Sequence, residues 1–139
     1  MTGKTNIHDY AVEQTNRLLT TLAYQVHRAA KKPGAEEIHD LRVSVRRFSQ
    51  GLELFEEFFP KWEVKKIRRM LKRVMSVTSD IRDRDITLDF LKEAGHAGHQ
   101  SRVQKERLTY QRQFSEMLRR WSAQDFSAKW RNGLSLRGV

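Results

Sequence analysis

No cysteine occurs among the 139 residues, and that absence removes disulfide bonds and every thiolate metal site. Proline is nearly as scarce, with two residues, and there are seven glycines, so few points can break a helix or force a turn. Nowhere do about 18 apolar residues follow one another, the length that a membrane-spanning helix requires. The stretch MTGKTNIHDYAVEQTNRLL carries no apolar run of signal-peptide length, so a cytoplasmic protein with no membrane partner is expected. Anions are outnumbered as well: 17 Asp and Glu face 27 Lys and Arg, for a net charge of +10. Such a balance speaks of partners rather than of fold, and the natural partner of a concentrated positive charge is a polyanion.

What is present is helical in pattern. The chain is 38% hydrophobic and 32% charged, which suits one all-α domain with a real core. The organising stretch is EIHDLRVSVRRFSQGLELFEEFF, from Glu37 to Phe59. Ile38, Leu41, Val45, Phe48, Leu52, Phe55 and Phe59 recur at alternating steps of three and four, the seam of a helix packed in a bundle. Proline at 60 cannot continue it, so one helix up to Phe59 is predicted. On another face His39, Arg42 and Arg46 fall at i, i+3 and i+7, within about 60° of one another and roughly 130° from the seam.

Around this helix the periodicity predicts a first helix over about 6–32, with Ile7, Ala11, Leu18, Leu22, Val26 and Ala29 near one stripe, ended by Pro33-Gly34. A third spans about 61–81, with a seam of Val64, Ile67, Leu71, Val74, Thr78 and Ile81. The alternating charges Asp80 to Asp85 separate it from a short fourth helix that stops at Gly95. A fifth runs over about 100–121 and turns Val103, Tyr110, Phe114, Leu118 and Trp121 inward, with Arg107 awkwardly in that row. The tail beyond Ser122 adds a turn or two, and fraying is expected after Asn132-Gly133. The expected fold is an antiparallel helical bundle of about four to six helices in one domain.

The third helix is dense with cations. Lys65, Arg69 and Lys72 share a stripe, with Lys66 and Arg73 beside it and Arg68 bordering the core. Like charges at i, i+4 cost a few tenths of a kcal/mol per pair, so a run without enough local carboxylates favours an external anion. If the two helices are antiparallel neighbours, their cationic stripes face a common groove. Arginine forks fit phosphate oxygens, and histidine adds a further hydrogen bond. Arg42 and Arg46 stand away from the seam, so removing both is expected to leave stability nearly intact.

These residues carry a resemblance. His39-Asp40-Leu41-Arg42-Val43-x-x-Arg46-Arg47, followed about 35 residues later by Arg82-Asp83-x-Asp85-Ile86, resembles the signature of the CHAD family, the conserved histidine α-helical domains. Lys72 and Arg73 match the family's basic pair; where the family carries Leu-Gly, this chain has Thr78-Ser79. The resemblance is strong over 35–91 and covers the first half of a usual domain, with no second His/Arg/Lys helix evident after Gly98. It implies an all-helical fold and binding of inorganic polyphosphate through a basic surface, by His39, Arg42, Arg46, Arg47, Lys65, Arg69, Lys72 and Arg73, in the cytoplasm or on polyphosphate granules. Lacking the second bundle, the chain is expected to form a homodimer that restores a two-bundle surface; the large apolar residues left over by the seams, Phe58, Trp62, Met70, Met75, Phe126 and Trp130, are the candidates for its contacting patch.

Other chemistry is weaker. Asp80, Asp83 and Asp85 are interleaved with Arg82 and Arg84, and His96 and His99 lack a third ligand, so no metal is expected. There is no Walker-type glycine loop and no candidate triad; no catalytic residue, cofactor or enzymatic activity is expected. A nucleic-acid-binding bundle is the alternative. It would use the same cations but needs exposed aromatics, and Phe48, Phe55 and Phe59 lie on the seam.

Overall fold

The structure, a computed structural model, describes residues 6–136. Among them are five α-helices and no strand: α1 Ile7–Lys31, α2 Ala35–Leu54, α3 Lys61–Ala94, α4 Ala97–Ala123 and α5 Phe126–Gly133. No helix among the described residues is long and apolar enough to cross a membrane.

Asn6 starts α1 by accepting a hydrogen bond from the Asp9 backbone N–H at 2.8 Å, which satisfies one of the open donors of the first turn. The α1 stripe is shifted from the expected one. Val12, Thr15 and Leu19 are buried with Ala11, Leu22, Val26 and Ala29, while Ile7 is exposed. Antiparallel packing of α1 and α2 follows from two contacts near opposite ends of α2. Arg28 pairs with Asp40 at 2.7 Å, and a Cβ built on Gly51 would come within 2.6 Å of Leu18 Cδ1, so the helices close up where glycine leaves room.

The seam of α2 is buried throughout, from Ile38 to Phe59, although the helix itself ends at Leu54. A 3-10 turn over Glu56–Phe58 follows. Phe59 precedes Pro60 and is extended, φ −123° and ψ 153°, as the residue before a proline must be. The tighter turn keeps both Phe55 and Phe59 in the core while the chain reverses.

The third and fourth predicted helices are one. No glycine or proline lies between Lys61 and Ala94, and of the alternating charges that suggested a break, Arg84 and Asp85 are satisfied by α4. Arg84 Nε donates to Glu106 at 3.3 Å and lies over the Tyr110 ring. Arg107 Nε donates to Asp85 at 2.5 Å, with further bonds from its guanidinium to Gln111 and to the Pro33 carbonyl. The misplaced arginine of α4 is therefore a clamp between α3, α4 and the α1–α2 turn. Gly95, at φ 75°, ends α3 in the left-handed conformation that favours glycine.

The tail is not frayed where it is described. Trp130 is only 2% exposed; it stacks on Phe48 at 5.9 Å and meets Trp121 and Phe126 edge-on or tilted. Leu134 and Leu136 are buried beside them, and Arg131 donates to Asn16 and Thr20 of α1. Positions 137–139 lie outside the described residues. This packing removes most of the patch assigned to self-association: Phe126 and Trp130 are core, and Phe58, Met70 and Met75 pack against it. Trp62 alone remains exposed. Truncating a buried aromatic costs about 3–5 kcal/mol, so Trp130→Ala is expected to lower unfolding free energy by that amount in a urea titration.

Candidate anion-binding face

The α2–α3 contact is antiparallel: Arg42 near the start of α2 reaches Met75 and Thr78, and Glu53 near its end meets Arg68 at 3.3 Å. The cationic line of α2 borders this contact. His39, Arg46 and Arg47 are exposed, and His39 has no hydrogen-bond partner among the described residues. Arg42 behaves differently. It is 7% exposed, and its Nη1 donates to the Met75 carbonyl at 2.9 Å and to Thr78 Oγ1 at 2.7 Å. Thr78 Oγ1 in turn donates to the Val74 carbonyl. The buried Nε has no acceptor among the described residues, and no carboxylate lies within salt-bridge distance of the guanidinium. Its pKa is pulled below the ordinary arginine value by burial first, then by the charges of Arg46 and Arg82, against a smaller opposing pull from Asp83. The group stays charged. A buried cation with two neutral acceptors and two cationic neighbours forms a strong local positive field.

Further along the same contact, α2 and α3 diverge into an open groove of about 900 Å³. Ser49, Gln50 and Glu53 of α2, Glu56 and Glu57 of the turn, and Lys61, Lys65, Arg68, Arg69 and Lys72 of α3 line it. Lys65, Arg69 and Lys72 are thus brought together as the sequence predicts. The expected common groove between the two cationic stripes is not formed: His39, Arg42, Arg46, Arg47 and Arg73 do not line this one, and its α2 side is Ser49, Gln50 and Glu53. Lys61 and Arg68 were missed. Lys61 stands one turn before Lys65 on the same stripe, a signal present in the sequence. Arg68 is held by Glu53 and Glu56, so at that end of the groove carboxylates outnumber the cation they hold.

The cations divide into those that meet a carboxylate and those that do not. Arg28, Arg84, Arg107, Arg119 and Arg120 each meet a carboxylate. Among the described residues Arg42, Arg46, Arg47, Lys61, Lys65, Arg69, Lys72 and Arg73 have none within 4.0 Å; the ion pairs of this region belong to Arg68, and to Lys66, which meets Glu63. The acids Asp80 and Asp85, by contrast, pair with Arg84 and Arg107.

The burial of Arg42 corrects the expectation that it and Arg46 are equally dispensable for folding. Arg42→Ala breaks charge-assisted hydrogen bonds between two helices and is expected to cost about 1–3 kcal/mol. Arg46→Ala, on the surface, should stay within about 0.5 kcal/mol of the parent. Denaturant midpoints of the two single variants measure the difference.

No curated protein and no solved structure matches this chain. The family model described as CHAD domain matches residues 13–137, well beyond the 35–91 stretch in which the motifs are recognisable. With helices and no strands among the described residues, and with that match over nearly all of its length, the chain belongs to the CHAD domain family.

Proposed function

We propose that this chain binds inorganic polyphosphate without turning it over, along the face where α2 meets α3. One observation carries the reading: the cations of this face lack carboxylate partners, and one of them, Arg42, is buried in that condition. Leaving a guanidinium desolvated beside Arg46 and Arg82 costs stability, and an anion at its exposed margin would offset that cost.

The parts divide the work by exposure. Arg42 fixes the position of the positive field, since its guanidinium is anchored on the α3 backbone. Arg46 and His39 are free to donate toward a phosphate on the α2 side. Lys61, Lys65, Arg69 and Lys72 continue the positive track along the groove and displace counterions from a chain laid along it. A linear ligand suits this arrangement better than a compact one, because the cations extend over about three turns of α3 rather than converging on a point.

The test is direct binding of long-chain polyphosphate, followed by fluorescence anisotropy across a salt series. Affinity is expected to fall steeply as salt rises, and Arg46→Glu with Lys72→Glu to weaken it at least about tenfold while flattening the slope, since fewer counterions are released. An affinity that ignores both salt and the double charge reversal would rule the reading out. His39→Ala should weaken polyphosphate binding in the same assay through loss of a ring N–H donor; an unchanged affinity would remove His39 from the site.

A further inference from the structure

Trp62 stands in the first turn of α3 with 67% of its surface exposed. The other tryptophans, Trp121 and Trp130, are buried. An indole buries a large apolar area wherever a core can take it, so one left in water beside cations needs a reason. Lys66, one turn on, places its Nζ 5.9 Å from the centre of the ring, within range of a cation–π contact. Lys66 also meets Glu63 at 3.8 Å. Arg69 and Arg73 continue the row. Positions 62, 66, 69 and 73 fall at i, i+4, i+7 and i+11, within about 60° of one another on α3 and spread over about 16 Å of helix. Arg69 and Arg73 have no carboxylate partner among the described residues, and Arg73 stands outside the groove.

We infer that Trp62, Lys66, Arg69 and Arg73 form a second binding face on α3, a stacking platform for single-stranded nucleic acid that adjoins the groove at Arg69. The chemistry is a division between two ligand parts. A base lies flat on the Trp62 indole, which accepts any base because every base has a π-face, and the backbone phosphates run along Lys66, Arg69 and Arg73. A duplex would not suit the indole, because bases stacked within a helix offer it no free face. Polyphosphate has no ring to stack, so the indole separates the two ligands. This inference stands whether or not the groove binds polyphosphate.

Trp62 supplies its own reporter, as the one exposed tryptophan. Three probes are titrated: an oligothymidylate, an abasic oligodeoxyribose phosphate of the same length and charge, and polyphosphate. The expected result is quenching of the solvent-exposed tryptophan emission by the oligothymidylate alone, with tighter binding of it than of the abasic chain. Trp62→Ala should weaken oligothymidylate binding by about 5- to 100-fold, erase its advantage over the abasic chain, and leave polyphosphate affinity in place. Because the ring is exposed, the variant should fold, and its unchanged circular dichroism and denaturation midpoint establish that. Equal affinity for the two oligomers, or an oligothymidylate affinity untouched by Trp62→Ala, overturns the inference. So does emission already shielded in the free protein together with the mass of a dimer, which would make Trp62 an interface residue. Loss of polyphosphate binding through Arg46 and Lys72 with the stacking signal retained would support each face separately.

Discussion

Two hydrogen bonds from Arg42 to α3 hold a cation below the protein surface with no anion to balance it, and the arrangement of the α2–α3 contact follows from that. A guanidinium is one of the few groups that can be placed there, because its charge is delocalised and its donors are fixed in a plane. Met75 and Thr78 offer acceptors at the right height on α3. Thr78 donates its O–H to the Val74 carbonyl, so its oxygen lone pairs are available to the arginine. The same junction sets how close the two helices come, and hence where they must part to leave an open groove further along.

The opposite side of the molecule shows how the rest of the charge is neutralised. The α1–α2 turn is crossed by Arg28 with Asp40 and by Lys32 with Glu37. At one level the α3–α4 pair is tied twice, by Arg84 with Glu106 and by Arg107 with Asp85. A protein of net charge +10 has too few acids to pair every cation: Lys31, Arg82, Lys92, Arg102, Lys105, Arg112, Lys129 and Arg131 also lack a carboxylate among the described residues, and on α3 the unpaired ones include a run that lines a groove. Paired charges and aromatic packing hold most of the bundle, while Arg42, buried and without a carboxylate, joins α2 to α3 as well.

Much of this was legible in the sequence. The seam of α2 is buried at every expected position because a repeat of three and four steps fixes which side of a helix faces inward, whatever the neighbours. The α3 seam from Val64 to Ile81 was legible for the same reason. Local pattern could not show how Asp80 to Asp85 would be satisfied, since their partners Glu106 and Arg107 lie about 22 positions away, and so one helix was read as two. Arg42 failed differently. It shares a line with His39 and Arg46, but its exposure depends on the side from which α3 approaches, a tertiary fact. Trp130 and Phe126 were visible as large apolar residues, yet nothing local told a core plug from an exposed patch.

The Arg107 clamp has one more consequence. Beyond it, α3 and α4 continue to the Gly95 turn as a pair of helices with little apolar cover: Val103 is buried, Leu88 and Leu91 are half-buried, and Ile86 and Phe90 are open to water. Opening that pair exposes little new hydrocarbon, so it costs less than opening the bundle. The backbone amides there should trade protons with solvent early, and those inside the clamp should do so only when the whole domain unfolds. Because the charged end of α3 lies on the protected side, breathing at the tip leaves the spacing of its cations unchanged.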